Sequence, residues 1–514
     1  MKFNTLKTIR LTLALLFFTP LLLYFCDFTN ILPPLLHGLA HIQLVPAIML
    51  GSVGILTALF LLTVLFGRIY CSVICPLGVL QDIIAWFAGR SRKKNGKKRR
   101  FAYAKPQTAL RYSLLVACVL FLIFGITAPV LYLDPYSNFG RIAVNLFRPL
   151  AMEGNNLINW IALKFNNYGF YHVTIYTITG LSLTIAAVAL TVVALTAFLR
   201  GRLFCNAVCP VGSLLGIISK FSVFRIVLDP SKCTSCGRCE KACKSQCIDS
   251  KEKTADTSRC VACFNCLNKC KSDGIAYRFA LPFSRKQELH DNPHTSRRSF
   301  LLTGVGAMAT LPFIPAWAKT ATADRTKLTP ITPPGSKSLT HFKKHCTACH
   351  LCITHCPQQI LKPAGFNFGW EYAFKPHLTF YESAFCNYEC TVCSEICPNG
   401  AIKRLTAEEK SVTQIGIARF DIERCVVYSD RTSCGACSEH CPTRAVKMEP
   451  YEGALTLPRV YDELCIGCGG CESICPVRPV KAINIQAVDV HQTAKKEQDE
   501  QIEEVDGDRL DFGF

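Results

Sequence analysis

Cys233-Thr234-Ser235-Cys236-Gly237-Arg238-Cys239-Glu240-Lys241-Ala242-Cys243 is the stretch on which the reading of this chain turns. Its spacing is Cys-x2-Cys-x2-Cys-x3-Cys. The same spacing, or a close variant, recurs at Cys260, Cys263, Cys266, Cys270, at Cys346, Cys349, Cys352, Cys356, and at Cys465, Cys468, Cys471, Cys475. Cys386, Cys390, Cys393, Cys397 opens with x3, and Cys425, Cys434, Cys437, Cys441 opens with x8. Three thiolates this close in sequence wrap one region of an iron–sulfur cube. The fourth lies too far along the chain to finish the same cube, and caps the cluster of a partner set. Sets therefore work in pairs, and six sets predict six [4Fe–4S] clusters in three two-cluster modules.

The expected ligand groups follow from that exchange. Cys233, Cys236 and Cys239 go with Cys270, and Cys260, Cys263 and Cys266 with Cys243. Cys346, Cys349 and Cys352 go with Cys397, and Cys386, Cys390 and Cys393 with Cys356. Cys425, Cys434 and Cys437 go with Cys475, and Cys465, Cys468 and Cys471 with Cys441. A zinc ribbon needs two Cys-x2-Cys knuckles and no third or fourth cysteine on each. A disulfide scaffold belongs to small secreted domains. Pro357, Pro398, Pro442 and Pro476 follow the last cysteine of four sets, as in bacterial ferredoxins, whereas Lys244 and Lys271 stand at that place in the other two.

Half of the 514 residues are apolar, and they are gathered into runs. Leu11–Cys26, Val45–Phe66, Ser113–Leu133 and Val173–Leu199 are nearly free of charge, and Phe300–Ala316 forms a shorter fifth. A spanning helix needs about 20 residues, so the middle three qualify comfortably and the outer two are borderline. The net charge of +20 is not a nucleic-acid signal, because no aromatic-interleaved basic surface accompanies it. Arg90, Arg92, Lys93, Lys94, Lys97, Lys98, Arg99 and Arg100 share one short loop, which marks the cytoplasmic side. Segments 27–44 and 134–172 read as external.

The first half repeats. Gly67-Arg68-Ile69-Tyr70-Cys71, then Cys75-Pro76-Leu77-Gly78, returns as Gly201-Arg202-Leu203-Phe204-Cys205, then Cys209-Pro210-Val211-Gly212. Cys71, Cys75, Cys205 and Cys209 are candidate ligands of one further metal or iron–sulfur site, with redox-active dithiols or plain packing as alternatives. Ser296-Arg297-Arg298-Ser299-Phe300-Leu301 opens a stretch closing at Ala316-Trp317-Ala318, which reads as a twin-arginine export signal or, failing that, a fifth spanning helix. Either places residues 340–490 outside the membrane. The expected fold is therefore an all-α transmembrane domain with small α+β two-cluster ferredoxin modules. Its parts are a four-helix domain (1–222), a cytoplasmic module (223–290), signal and linker (291–340), periplasmic modules at 341–410 and 411–490, and an acidic, disordered tail (491–514).

Residues 1–290, with four apolar runs, two Cys-x3-Cys-Pro loops and a cluster pair, resemble the NapH-type membrane ferredoxins, relatives of the NosR group. Residues 291–490, with the twin-arginine stretch and four further sets, resemble NapG-type periplasmic ferredoxins. The resemblance implies a fusion in the bacterial inner membrane, exported in part by the twin-arginine machinery. It implies electron flow from membrane quinol, or a cytoplasmic donor, to a periplasmic reductase or cytochrome, without substrate chemistry in this chain. Electron supply for metal-centre maturation or regulation is the alternative. His37, His41 and Asp134 are candidate proton acceptors for quinol. Cys26 and Cys118 read as small hydrophobes, and Cys247 as outside every set. Covalent c-type haem is not expected.

Overall fold

In the computed structural model the described residues are 3–33, 36–90, 101–175, 179–280, 329–380 and 384–496. The remainder of the basic loop after Arg90, the Arg297-Arg298 stretch with its apolar run, and the acidic tail lie outside them.

Among the described residues two helices are long and apolar enough to cross a membrane: α1 (Phe3–Cys26) from its Thr5, and the later helix Gly180–Arg200. The expected second and third spans are each broken. Val45–Phe66 divides at Gly51 (φ 70°) into a short helix, Leu44–Leu50, and α2 (Val53–Phe66). Ser113–Leu133 divides near Gly125 (φ 74°) into Thr108–Ile123 and Ala128–Leu133. In both runs a glycine adopts a left-handed conformation that other residues resist, so apolar composition alone overstates helix length.

The repeat is visible as exchanged packing. After the first cysteine loop comes α3 (Pro76–Arg90), and after the second comes a matching helix, Pro210–Ser219. Gly180–Arg200 packs on α3, while Pro210–Ser219 packs on α2, so each copy supports the other. Between the copies, Asp134 caps α4 (Pro135–Ile142) by accepting from the Tyr136 and Ser137 N–H groups, with Pro135 at the first helical position. α4 packs against α3 and Gly180–Arg200, and the π-helical turn Ala143–Phe147 that follows packs against α1 and Gly180–Arg200. Its buried Asn138, Arg141 and Asn145 are hydrogen-bonded.

Two of the cluster-bearing segments have the expected strand–cysteines–strand order, whereas in the segment with Cys346 and Cys386 the paired strands Leu361–Pro363 and Pro376–Leu378 lie between the cysteine sets. Phe224–Leu228 pairs antiparallel with Ile275–Phe279 around Cys233–Cys270, and Thr413–Phe420 pairs with Ile483–Thr493 around Cys425–Cys475. Cysteines are built into their cores: Cys239, Cys243, Cys247 and Cys266 pack with Ile226, Ile248 and Phe264 in the first. The chain divides into two compact units. One comprises residues 1–328, 339–377 and 392–403, and the other 329–338, 378–391 and 404–514. The third cysteine set therefore belongs with the helices.

Candidate iron–sulfur sites and the paired cysteine loops

In five of the six expected groups the fourth cysteine stands near members of its partner set. Cys233, Cys236, Cys239 and Cys270 line one small pocket, partly open to solvent. Cys266 stands within electrostatic reach of Cys260, Cys263 and Cys243, and Cys349 and Cys352 within reach of Cys346 and Cys397. In the second unit Cys425 has Cys434 and Cys475 for neighbours, and Cys471 has Cys465, Cys468 and Cys441. Of the remaining group, Cys386 and Cys390 stand together in the second unit, while Cys393 and Cys356 belong to the first.

Burial pushes Cys346 and Cys468 up to about 12 and Cys239 up to about 11. Buried thiols hold their protons unless a cation replaces them, which is how metal binding becomes coupled to folding. Among the described residues no three Cys, His, Asp or Glu side chains close around a single-ion position. A lone zinc needs its sulfurs about 2.3 Å from one point. A cube, by contrast, holds its thiolates apart at separate corners.

The two Cys-x3-Cys-Pro loops bring Cys71, Cys75, Cys205 and Cys209 together, all at most 3% exposed and each within electrostatic reach of others in the group. Each loop closes on a wide turn, with Cys75 N–H donating to Tyr70 O and Cys209 N–H to Phe204 O, both at 2.9 Å. The i to i−5 bond belongs to a π turn, so a plain α-helical reading of the x3 spacing needs that amendment. Proline then starts α3 and Pro210–Ser219, where its missing N–H costs nothing. Gly78 and Gly212 complete the motif for a steric reason. A Cβ on either would meet the carbonyl of its loop's first cysteine at 2.2 or 2.1 Å.

The motif arginines cross between copies. Arg202 Nη1 donates to Cys71 O at 2.6 Å, and Arg68 Nη2 donates to Cys205 O at 3.1 Å. Arg68 Nη2 also lies 3.8 Å from Cys71 Sγ, and Cys205 Sγ donates to Gln81 Oε1 at 3.4 Å. Arg68 Nε, Arg202 Nη2 and Gln81 Nε2 are buried here without a hydrogen-bond partner. Sequence reading passed over these three side chains. The repeated Gly-Arg was the available signal for the arginines, and nothing distinguished Gln81.

Both flanking cysteine regions clasp this helical domain. Gly201 admits Lys244 O, which a Cβ would meet at 2.2 Å, and Arg202 N–H donates to that same carbonyl at 3.0 Å. The Lys244 ammonium reaches Asp82, already paired with Arg202 and Arg10. This explains why lysine replaces the usual proline after Cys243. The structure offers no such account of Lys271. Arg68 Nη1 also donates to Ser258 O at 3.0 Å, two residues before Cys260. On the other flank, Gly140 admits Cys349 O, 2.3 Å from where a Cβ would stand. There Arg148 Nη2 donates to Thr354 O, and Thr354 Oγ1 to Phe25 O at the end of α1.

The expectation against c-type haem needs one correction: residues 346–350 read Cys-Thr-Ala-Cys-His, which is the haem attachment spacing. The geometry points elsewhere. His350 is buried, with Nδ1 3.2 Å from Asn145 Nδ2 and Nε2 2.8 Å from Phe374 O, so neither ring nitrogen faces an open ligand position. Burial pushes this imidazole down to about 3. Asp134 is occupied as a helix cap. His37 packs at a tilt against Tyr24 (ring centroids 5.3 Å apart), which packs at a tilt against His355 (4.4 Å). His41 ends the short helix His37–His41. Cys118 is buried and Cys26 partly so, whereas Cys247 lies with its sulfur 3.5 Å from Cys243 Sγ.

A family model described as a 4Fe-4S binding domain matches residues 48–95 and again 181–228, one window for each paired loop. A second model of that description matches 226–249, and a 4Fe-4S dicluster domain matches 432–480. The chain is similar to the methylamine utilization ferredoxin-type protein MauN of Paracoccus denitrificans, at 26% identity over 37% of this chain and 52% of the relative. The ferredoxin-type protein NapH of Haemophilus influenzae is 25% identical over 38% of this chain and 53% of its own length. The methylamine utilization ferredoxin-type protein MauM of Methylobacillus flagellatus is 30% identical over 27% and 61%. The chain thus spans between 26% and 61% of the length of the curated relatives it matches. No solved structure matches it.

Proposed function

We propose that this chain, a NapH-like polyferredoxin, takes electrons from membrane quinol and delivers them through six [4Fe–4S] clusters to a reductase outside the membrane. The observation that carries the reading is the placement of cysteine sets at the two ends of α1. Leu6 packs against the core that holds Cys239 and Cys266, while Phe25 O accepts from Thr354 in the third set. Phe25 lies nineteen positions after Leu6, or about 28 Å at 1.5 Å per residue. That is close to the roughly 30 Å hydrocarbon thickness of a bilayer. In this reading the Cys233–Cys270 pair is cytoplasmic and the third set begins the periplasmic part.

The twenty-four cysteines of the six sets hold the clusters in the exchanged groups given above, and such clusters supply one-electron redox change when bound. Around the third set the chain provides compensating cations: Lys375 acts on Cys346, Arg141 on Cys349 and Arg148 on Cys356. His37, packed against Tyr24 beside His355, is the place where a quinol headgroup would give up its protons. The test is an anaerobic redox titration of the protein in native membranes, with and without added quinol. Quinol should reduce the clusters and His37→Ala should slow it. Clusters that stay oxidised with quinol but fill from a cytoplasmic donor would remove quinol from the scheme.

A further inference from the structure

Electron tunnelling weakens exponentially with distance. Cysteine sets at the two ends of a helix about 28 Å apart therefore do not exchange electrons usefully without a site between them. We infer that Cys71, Cys75, Cys205 and Cys209 form one redox-active iron–sulfur site inside the helical domain, and that it relays electrons across the membrane between the Cys233–Cys270 pair and the third set. The inference rests on the membrane-spanning reading of α1 and is independent of quinol as donor.

Four observations carry it. The thiols come from both copies of a repeat and are buried together. Two guanidiniums stand beside them, the right charge for an anionic centre, since four thiolates around iron and sulfide leave net negative charge. Buried Arg68, Arg202 and Gln81 each keep a donor nitrogen unpartnered, which is costly unless an acceptor fills the space. Sulfides of a cluster are such acceptors. Finally, protein contacts lead from this site in both directions. Arg68 touches both the Cys205 loop and Ser258 beside Cys260. On the other side α3, which begins directly after Cys75, packs on α4, and Gly140 of α4 lies against the Cys349 carbonyl.

In the relay one electron leaves the inner set, which is oxidised, and reaches the outer set, which is reduced, and no atom is transferred. The test uses the full chain in sealed, quinone-free liposomes with dithionite, an impermeant reductant, added outside. Reduced clusters are counted by electron paramagnetic resonance. In the wild type, sets on both sides should be reduced whichever way a molecule is inserted. In Cys71→Ser and in Cys205→Ser only the outward-facing sets should be reduced, and the same additional signal should vanish from both variants. Adding permeant methyl viologen should then reduce the remaining sets, showing that they are intact.

Wild-type liposomes in which lumenal sets stay oxidised until methyl viologen is added would overturn the relay. So would cysteine variants that reduce both sides at the wild-type rate. Failure of quinol to reduce the protein would defeat the proposed donor and leave this result unaffected.

Discussion

Arg202 belongs to the second copy of the repeat, yet its guanidinium donates to the carbonyl of Cys71 in the first, at 2.6 Å, and pairs with Asp82 through Nε at 2.8 Å. Arg68 returns the contact to Cys205. Neither cysteine loop is therefore built by its own copy alone. The repeated Gly-Arg-x2-Cys-x3-Cys-Pro-x-Gly pattern describes two halves of one structure.

Arg202→Ala should be strongly destabilising. It leaves Asp82 buried with less compensation and frees the Cys71 carbonyl, and breaking a buried ion pair costs about 3–5 kcal/mol. Thermal unfolding in detergent should show a fall of several degrees. Arg202→Lys should recover part of it, because one ammonium can pair with Asp82 but cannot also span to Cys71. An unchanged midpoint in both variants would mean that the crossing contact contributes nothing.

Purified under nitrogen, the protein should contain about 24 irons per chain from the six sets and about 4 more from the paired loops. Parallel iron and acid-labile sulfide analysis checks this. Roughly eight irons accompanied by zinc would exclude the cluster assignment for most sets.

Gly140→Ala places a methyl where the Cys349 carbonyl now lies. Relieving that overlap by a backbone shift costs about 1–3 kcal/mol. Limited proteolysis should cut residues 339–377 faster in the variant, while the spectrum of the Cys233–Cys270 pair stays unchanged. Equal protection of 339–377 in both proteins would show that the helix and the third set are not in register as described.

His491 gives the second unit an acid-sensitive joint. Its ring accepts or donates at 2.8 Å to Thr332 Oγ1, and burial pushes it down to about 4. Because the folded value lies below the ordinary 6.5 or so, the unfolded state binds more protons between the two. The stability contributed by neutral His491 is thus fully present above about pH 6.5 and is lost as pH falls toward 4, at most about 3 kcal/mol. Unfolding followed between pH 7.5 and 4.5 should show a shallower loss in His491→Gln than in wild type. Parallel curves would assign the acid sensitivity elsewhere.

Cys247→Ser should keep the full iron content and shift the potential of one centre in the Cys233–Cys270 pair, since its sulfur lies 3.5 Å from Cys243 Sγ. Loss of about four irons would make Cys247 a ligand and displace one of the expected four.

The cysteine spacing, the strands around it and the internal repeat were legible without coordinates because each is a local pattern. A ligand group needs its residues within one loop and one partner loop, and Ile417–Phe420 pairs with Ile483–Gln486 as alternating apolar runs suggest. Helix lengths were less legible. Hydropathy does not register that Gly51 and Gly125 turn left-handed. Tertiary structure alone decided three things: that Arg68 and Arg202 cross between copies, that Lys244 anchors a cluster loop on Asp82, and that the third set packs on the helices through Gly140. Each joins residues far apart in the chain, and the criterion is whether a buried charge or carbonyl finds its partner. Composition and spacing carry no record of that pairing.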